Sequence, residues 1–212
     1  MTGNSLGFAG STTVVAGNLK VNGVLGSLLT VNPGATLSGI GTVGNVILNG
    51  IISPGNSIGT LTVNSLVINP TGVYEAEINS MGQSDLILAA GPVTINGGTL
   101  AVSAAPGIYL RGTNYTIIQA GGGVTGQFAT TLLPSNVLLG VNYFPTSVVL
   151  TVLTTNLDTF GLTGNALRVA EYIRDHMSAD PDILTIIAAL NTLTPEQEQK
   201  RLIRCILPSS KL

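Results

Sequence analysis

The segment Gly39-Ile40-Gly41-Thr42-Val43-Gly44-Asn45-Val46-Ile47-Leu48-Asn49-Gly50-Ile51-Ile52-Ser53-Pro54-Gly55-Asn56-Ser57-Ile58-Gly59-Thr60-Leu61-Thr62-Val63 decides the fold. Its apolar runs are short, rich in Val, Ile and Thr, and closed by Asn-Gly or Pro-Gly-Asn-Ser. Asn and Gly tolerate left-handed backbone angles, while Pro fixes φ and cannot donate to a ladder, so these pairs read as turns. Runs of four to six residues between such turns are strands and cannot be helices.

The same punctuation recurs on both sides. Leu19-Lys20-Val21-Asn22-Gly23 and Leu29-Thr30-Val31-Asn32-Pro33 precede it; Leu66-Val67-Ile68-Asn69-Pro70 and Val93-Thr94-Ile95-Asn96-Gly97 follow. Gly34-Ala35-Thr36-Leu37, Ile58-Gly59-Thr60-Leu61 and Gly97-Gly98-Thr99-Leu100 add to an imperfect repeat. A sandwich or up-and-down barrel calls for longer alternating strands with charges on the wet face. Here the outward candidates are Thr, Asn, Ser and Gly. Short strands that pair with equivalents in the coils above and below fit better. The irregular spacing predicts a mainly β fold, a right-handed parallel β-helix with variable loops, rather than a strict hexapeptide helix.

Charge supports this reading. Only 8% of the 212 residues are charged, against roughly a quarter in average soluble domains. Residues 1–153 hold just Lys20, Glu75, Glu77, Asp85 and Arg111, together with 25 of the 27 glycines. Stacked coils place equivalent residues about 4.8 Å apart, where like charges repel and Asn, Thr, Val and Ile do not. The other thirteen charges fall in 154–212. A boundary is expected at about residues 154–156, separating a solenoid over 1–153 from an α-helical tail over 154–212. In that tail Leu167, Ala170, Ile173 and Met177 share one stripe, Asp180-Pro181-Asp182 starts a second helix, and Thr194-Pro195-Glu196-Gln197 opens a third.

Several function classes are excluded. A net charge of −2 with eight Lys and Arg leaves no basic stripe for nucleic acid and no polybasic membrane patch. One Cys and one His leave no intramolecular disulfide and little metal chemistry, and no cofactor is expected. Mean hydropathy is +0.49, yet no apolar run approaches the ~20 residues of a spanning helix. Gly39-Ile40-Gly41-Thr42-Val43-Gly44 fits a dinucleotide fingerprint, but a strand follows where the pyrophosphate needs a helix, and the next acid is Glu75. Glu75 and Glu77 share a strand face and could serve as paired carboxylates with Arg111 on a polysaccharide. The structural alternative is a solvated strand edge, with charges that discourage pairing. Asp85, after Gly82-Gln83-Ser84, reads as a turn residue bonding its own backbone. His176 reads as a surface residue near a helix end and Cys205 as packed against Leu202 and Ile206.

The run from Leu37 to Val63 resembles the passenger-associated transport repeat of bacterial autotransporters, in which a G-x-G-T-V segment leads to N-G-x-I-x-P-G-x-S-x-G-T-L. Tyr115-Thr116-Ile117-Ile118 and Val148-Val149-Leu150-Thr151-Val152 resemble the last, autochaperone coils of such passengers. Residues 154–207 resemble the helical stretch that joins passenger to barrel. The resemblance implies a protein at the bacterial cell surface, in the outer membrane or secreted, whose partner is an outer-membrane β-barrel translocator. It implies structural rather than catalytic residues: Gly41, Pro54, Gly55 and Gly59 for coil turns, Asn56 and Ser57 for turn hydrogen bonds. Low charge and near absence of Cys would suit threading through a pore. Met1-Thr2-Gly3-Asn4 has no basic or apolar signal-peptide region, and no barrel strands follow the helices. An excised piece, a split reading frame or one module of a larger assembly is therefore expected.

Three functions remain open. One is a non-enzymatic passenger segment that nucleates β-helix folding and supports translocation. Another is an adhesin-type module meeting a host or cell-surface ligand through the solenoid face and the loops at 120–127 and 134–143. The third is a polysaccharide enzyme using Glu75, Glu77 and Arg111. Neither nucleic acid nor a small-molecule substrate is expected.

Overall fold

The computed structural model describes residues 1–8 and 10–153, together with Arg168. The helices expected in the tail, with His176 and Cys205, lie outside the described residues apart from Arg168, as does the 154–156 boundary.

Each turn of chain lays strands on three faces. The first coil carries β1 (Asn4–Ser5), β2 (Thr12–Val14) and β3 (Gly17–Lys20); the second carries β4 (Val24–Leu25), β5 (Leu29–Val31) and β6 (Ala35–Gly39). In the third, β7 (Thr42–Leu48) bends across two faces and β8 (Ile51–Pro54) takes the last. In the fourth, β9 (Thr60–Ile68) does the same before β10 (Val73–Ile78). Then come β11 (Leu86–Ala89), β12 (Val93–Asn96) and β13 (Thr99–Ala104), followed by β14 (Asn114–Ala120), β15 (Val124–Gln127) and β16 (Thr130–Leu132). The strand ladders between these coils are parallel, which is the parallel β-helix that the short, turn-bounded strands imply.

The register makes ladders of like residues. On one face Leu19, Leu37, Ile52, Tyr74 and Leu100 stand in register. On another, Leu29, Val46, Leu66 and Val93 do so, and on the third Leu25, Val43, Val63, Ala89 and Ala120. These residues, apart from the half-buried Leu19, are buried and form one continuous core. At a strand spacing near 4.8 Å each aliphatic side chain packs on the equivalent above and below, and alternate residues point outward. Polar ladders fasten the corners. Asn69 Nδ2 donates to Asn49 Oδ1 at 2.8 Å, and Asn96 Nδ2 donates to Asn69 Oδ1 at 3.5 Å. Asn64 Nδ2 and Ser65 Oγ both donate to Asn45 Oδ1, at 2.6 and 2.9 Å.

The end of the stack departs from the expectation. Val148–Val152 does not form a further parallel coil. Strand β17 (Leu139–Phe144) turns through Pro145 and Thr146 into β18 (Ser147–Val152), an antiparallel hairpin whose second strand pairs antiparallel with β14. A two-residue loop can reverse a strand but cannot carry it around the solenoid, so the chain covers the β14 edge instead.

Candidate functional site

The Pro54–Gly59 turn joins the third coil to the fourth. Gly39 and Gly55 exchange backbone hydrogen bonds, N–H to O at 3.2 and 2.8 Å, locking the turn to the second coil. Gly55 has φ +96°, and a side chain there would collide with the Ser57 carbonyl. Gly41 passes against the Gly23 carbonyl one coil below, leaving no room for a Cβ. Pro54 and Gly55 are buried, whereas Asn56 and Ser57 are exposed at the tip; Asn56 Nδ2 reaches Asn22 Oδ1 at 3.5 Å.

Gly59 closes the turn, and its partner corrects the reading of Asp85. That carboxylate is not a surface turn residue bonding its own loop. It is fully buried, accepts the Gly59 N–H at 2.8 Å and the Glu77 N–H at 2.9 Å, and so fastens the turn to β10 and to the start of β11. Burial, reinforced by the nearby Glu77 charge, raises its pKa to about 6, and the two N–H donors only partly counter this. The Gly59 partner is 26 residues away, beyond any local motif. Tyr74 sits beside it, its phenol held well above the usual range by burial and by the Asp85 charge, and donates to the Ile117 carbonyl at 2.8 Å.

Glu75 and Glu77 lie on β10, which pairs with β13 along its length and with β8 through Val73 and Tyr74. Both glutamates are exposed on the outer face, past the β8 ladder. They line a shallow groove of about 300 Å³ with Ser53, Ala101, Ser103, Leu132 and Leu133. A second hollow of about 200 Å³ continues past Glu77 and Ser53 to Lys20, Ser38, Asn56 and Ser57. Arg111 lines neither; it lies in the loop between β13 and β14. Glu75 and Glu77 are thus brought together, and Asp85 is turned into the interior beneath them. Gly39–Gly44 leads into strand β7, so no helix N-terminus faces a phosphate there. Among the described residues no cluster of three or more His, Cys, Asp or Glu could hold a metal.

No family model matches the chain. It is 30% identical over 213 residues to the extracellular serine protease of Serratia marcescens, across 93% of this chain and 20% of that protein. Over 62 residues, 26% of this chain and 2% of the relative, it is 47% identical to the adhesin BmaC autotransporter of Brucella suis biovar 1 (strain 1330). The chain therefore spans a fifth or less of the length of these curated relatives. Together with the parallel β-helix, the two similarities support a relationship between this chain and autotransporter passengers.

Proposed function

We propose that residues 1–153 are the C-terminal part of a surface-exposed or secreted passenger, a non-enzymatic module whose last coils nucleate the β-helix. The observation that carries this reading is the asymmetry of the stack. The first coil is largely exposed. The fourth to sixth coils bury three tyrosines whose hydroxyls bond backbone across coils: Tyr74 to Ile117 O, Tyr109 to Ile78 O at 3.2 Å, and Tyr115 to Asn79 O at 2.8 Å. The β17–β18 hairpin then covers the β14 edge of the sixth coil. A solenoid grows by adding coils to a stable end, so the aromatic-filled end, with its β14 edge paired, is the natural nucleus. Folding there would bias outward movement of a tethered chain.

The finer elements of the proposal follow the same line. The crossovers are right-handed, as parallel connections overwhelmingly are. Gly41, Pro54, Gly55, Asn56, Ser57 and Gly59 are structural. Residues 154–212 form a helical junction to an outer-membrane β-barrel translocator. Among the described residues that line the groove, Glu75 and Glu77 are the charged ones, and in this reading they are solvated surface carboxylates. The match to a protein named an adhesin favours ligand binding by the outer face as a second reading.

Pulse-labelled amide exchange during refolding of the full chain tests nucleation. Amides of 114–152 should gain protection before those of 24–48. Simultaneous protection, or the opposite order, overturns the proposal.

A further inference from the structure

The sequence holds three Asn-Gly pairs, Asn22-Gly23, Asn49-Gly50 and Asn96-Gly97, each preceded by Val, Leu or Ile. At such a pair a chain can modify itself. With no side chain on the second residue, its amide nitrogen can swing onto the asparagine Cγ at little steric cost. The three pairs are alike in their immediate neighbours, so a difference in reactivity must come from the fold.

Two of the pairs sit in the same kind of corner. The N–H groups of Asn49 and Gly50 both donate to the Val31 carbonyl, at 2.9 and 3.1 Å, and those of Asn22 and Gly23 both donate to the Met1 carbonyl, at 2.8 and 3.2 Å. Gly50 is buried against the Asn32 and Ala35 carbonyls, and Gly23 leaves no room for a Cβ beside the Gly3 carbonyl. The side chains are held as well: Asn49 Oδ1 accepts from Asn69 Nδ2 at 2.8 Å, and Asn22 Oδ1 accepts from the Ile40 N–H at 3.3 Å. Either glycine nitrogen must leave an intercoil hydrogen bond and a tight backbone contact before it can turn. Asn96 stands differently. It is exposed at the end of β12, and its Nδ2 reaches Asn69 Oδ1 at 3.5 Å, the long outer rung of the Asn49–Asn69–Asn96 ladder. Two left-handed glycines follow, Gly97 at φ +95° and Gly98 at φ +80°. A Cβ on Gly97 would meet ordinary contacts, Ala129 Cβ at 3.6 Å and Pro70 Cα at 4.0 Å, so this corner has room to move. The middle rung, Asn69, precedes Pro70, which has no N–H to lose.

We propose that Asn96-Gly97 is the pair at which the folded chain deamidates itself, ahead of Asn49-Gly50 and Asn22-Gly23. The Gly97 nitrogen gives up its proton to solvent and bonds to Asn96 Cγ. The Cγ–Nδ2 bond then breaks, and the nitrogen leaves as ammonia after taking a proton back from solvent. Water opens the cyclic imide at either carbonyl, giving aspartate or isoaspartate at position 96. The product carboxylate has no hydrogen to donate to Asn69 Oδ1, so the asparagine ladder loses its outer rung.

The test incubates the full chain in mildly alkaline buffer, folded or in concentrated urea, and follows each pair by mass spectrometry of proteolytic fragments. In the fold, Asn96 should convert at least about tenfold faster than Asn49 and Asn22, a ratio equal to about 1.4 kcal/mol. Its folded rate should also lie within about tenfold of its own rate in urea, because little local opening is needed. In urea the three rates should converge. Conversion of Asn49 or Asn22 as fast as Asn96 in the fold overturns the proposal, as does strong protection of Asn96 relative to urea. A preference for Asn96 that persists undiminished in urea overturns it too, since neighbouring residues rather than the fold would then set the rate.

Discussion

Gly55 and Gly34 separate two costs that a left-handed glycine can carry. Both have positive φ, +96° and +79°, but only Gly55 would bring a side chain into backbone, while Gly34 faces open space. Gly34→Ala should therefore cost only the conformational penalty, about 1 kcal/mol, and Gly55→Ala clearly more, about 3 kcal/mol. Urea unfolding of the two variants side by side checks this; equal losses would mean the turn yields freely. Asp85 carries the other prediction at this scale. Its pKa is about 6 in the fold and near 3.8 in the unfolded chain. A raised pKa means that the fold binds the proton more tightly. The contribution is therefore fully present below pH 3.8 and lost as pH rises through 6. Stability from this group should be higher at pH 4.5 than at pH 7.5, by roughly 1–3 kcal/mol. Asp85→Asn, neutral throughout, should lack that slope whatever its absolute stability. Melting curves across pH 4–8 give the comparison, and a wild type that weakens toward pH 4.5 relative to Asp85→Asn would refute the assignment.

Among elements, the strands are interchangeable in kind but not in reach. β10 pairs with β13 in the next coil and reaches one coil further through a single hydroxyl, since Tyr74 bonds Ile117 O two coils on. Tyr74→Phe keeps the ring and loses the bond, leaving a buried carbonyl short of a donor, at a cost of about 1–2 kcal/mol. Tyr74→Ala also opens a cavity and should cost about 3–5 kcal/mol. Calorimetry of both variants apportions packing and hydrogen bonding. If Tyr74→Phe matches the wild type, the hydroxyl is not a cross-coil fastener. The strand pattern itself was legible from the Val-Ile-Leu runs and their Asn-Gly or Asn-Pro closures. The antiparallel return of β18 was not, because Val148–Val152 has the same composition as a parallel rung and differs only in the two-residue loop before it.

For the molecule as a whole, scarcity of charge has a measurable consequence. With five charged residues in 1–153, screening has little to act on. The thermal midpoint of the solenoid, followed by protection of amides 60–68, should move by no more than about 2 °C between 0.05 and 0.5 M NaCl. A larger shift would point to charge interactions that the ladders do not account for. Scale also explains how the site divides. The Pro54–Gly59 turn was visible because Gly and Pro are demanded locally, by φ and by close backbone approach. The groove beside it was not, because Ser53, Glu75, Ser103 and Leu132 lie in successive coils and meet only when the coils stack.

The sequence by itself determined the class of fold: turns by Asn, Gly and Pro, strand length by their spacing, and the stacked arrangement by a composition that tolerates like residues in register. Tertiary structure alone decided which residues became partners. It buried Asp85 between Gly59 and Glu77, tied Tyr74 to Ile117, and turned β18 back antiparallel against β14. The reason is physical. Turn preference acts over a few neighbouring residues, whereas register and burial depend on how much chain each coil consumes, and that varies through loops whose length carries no pattern.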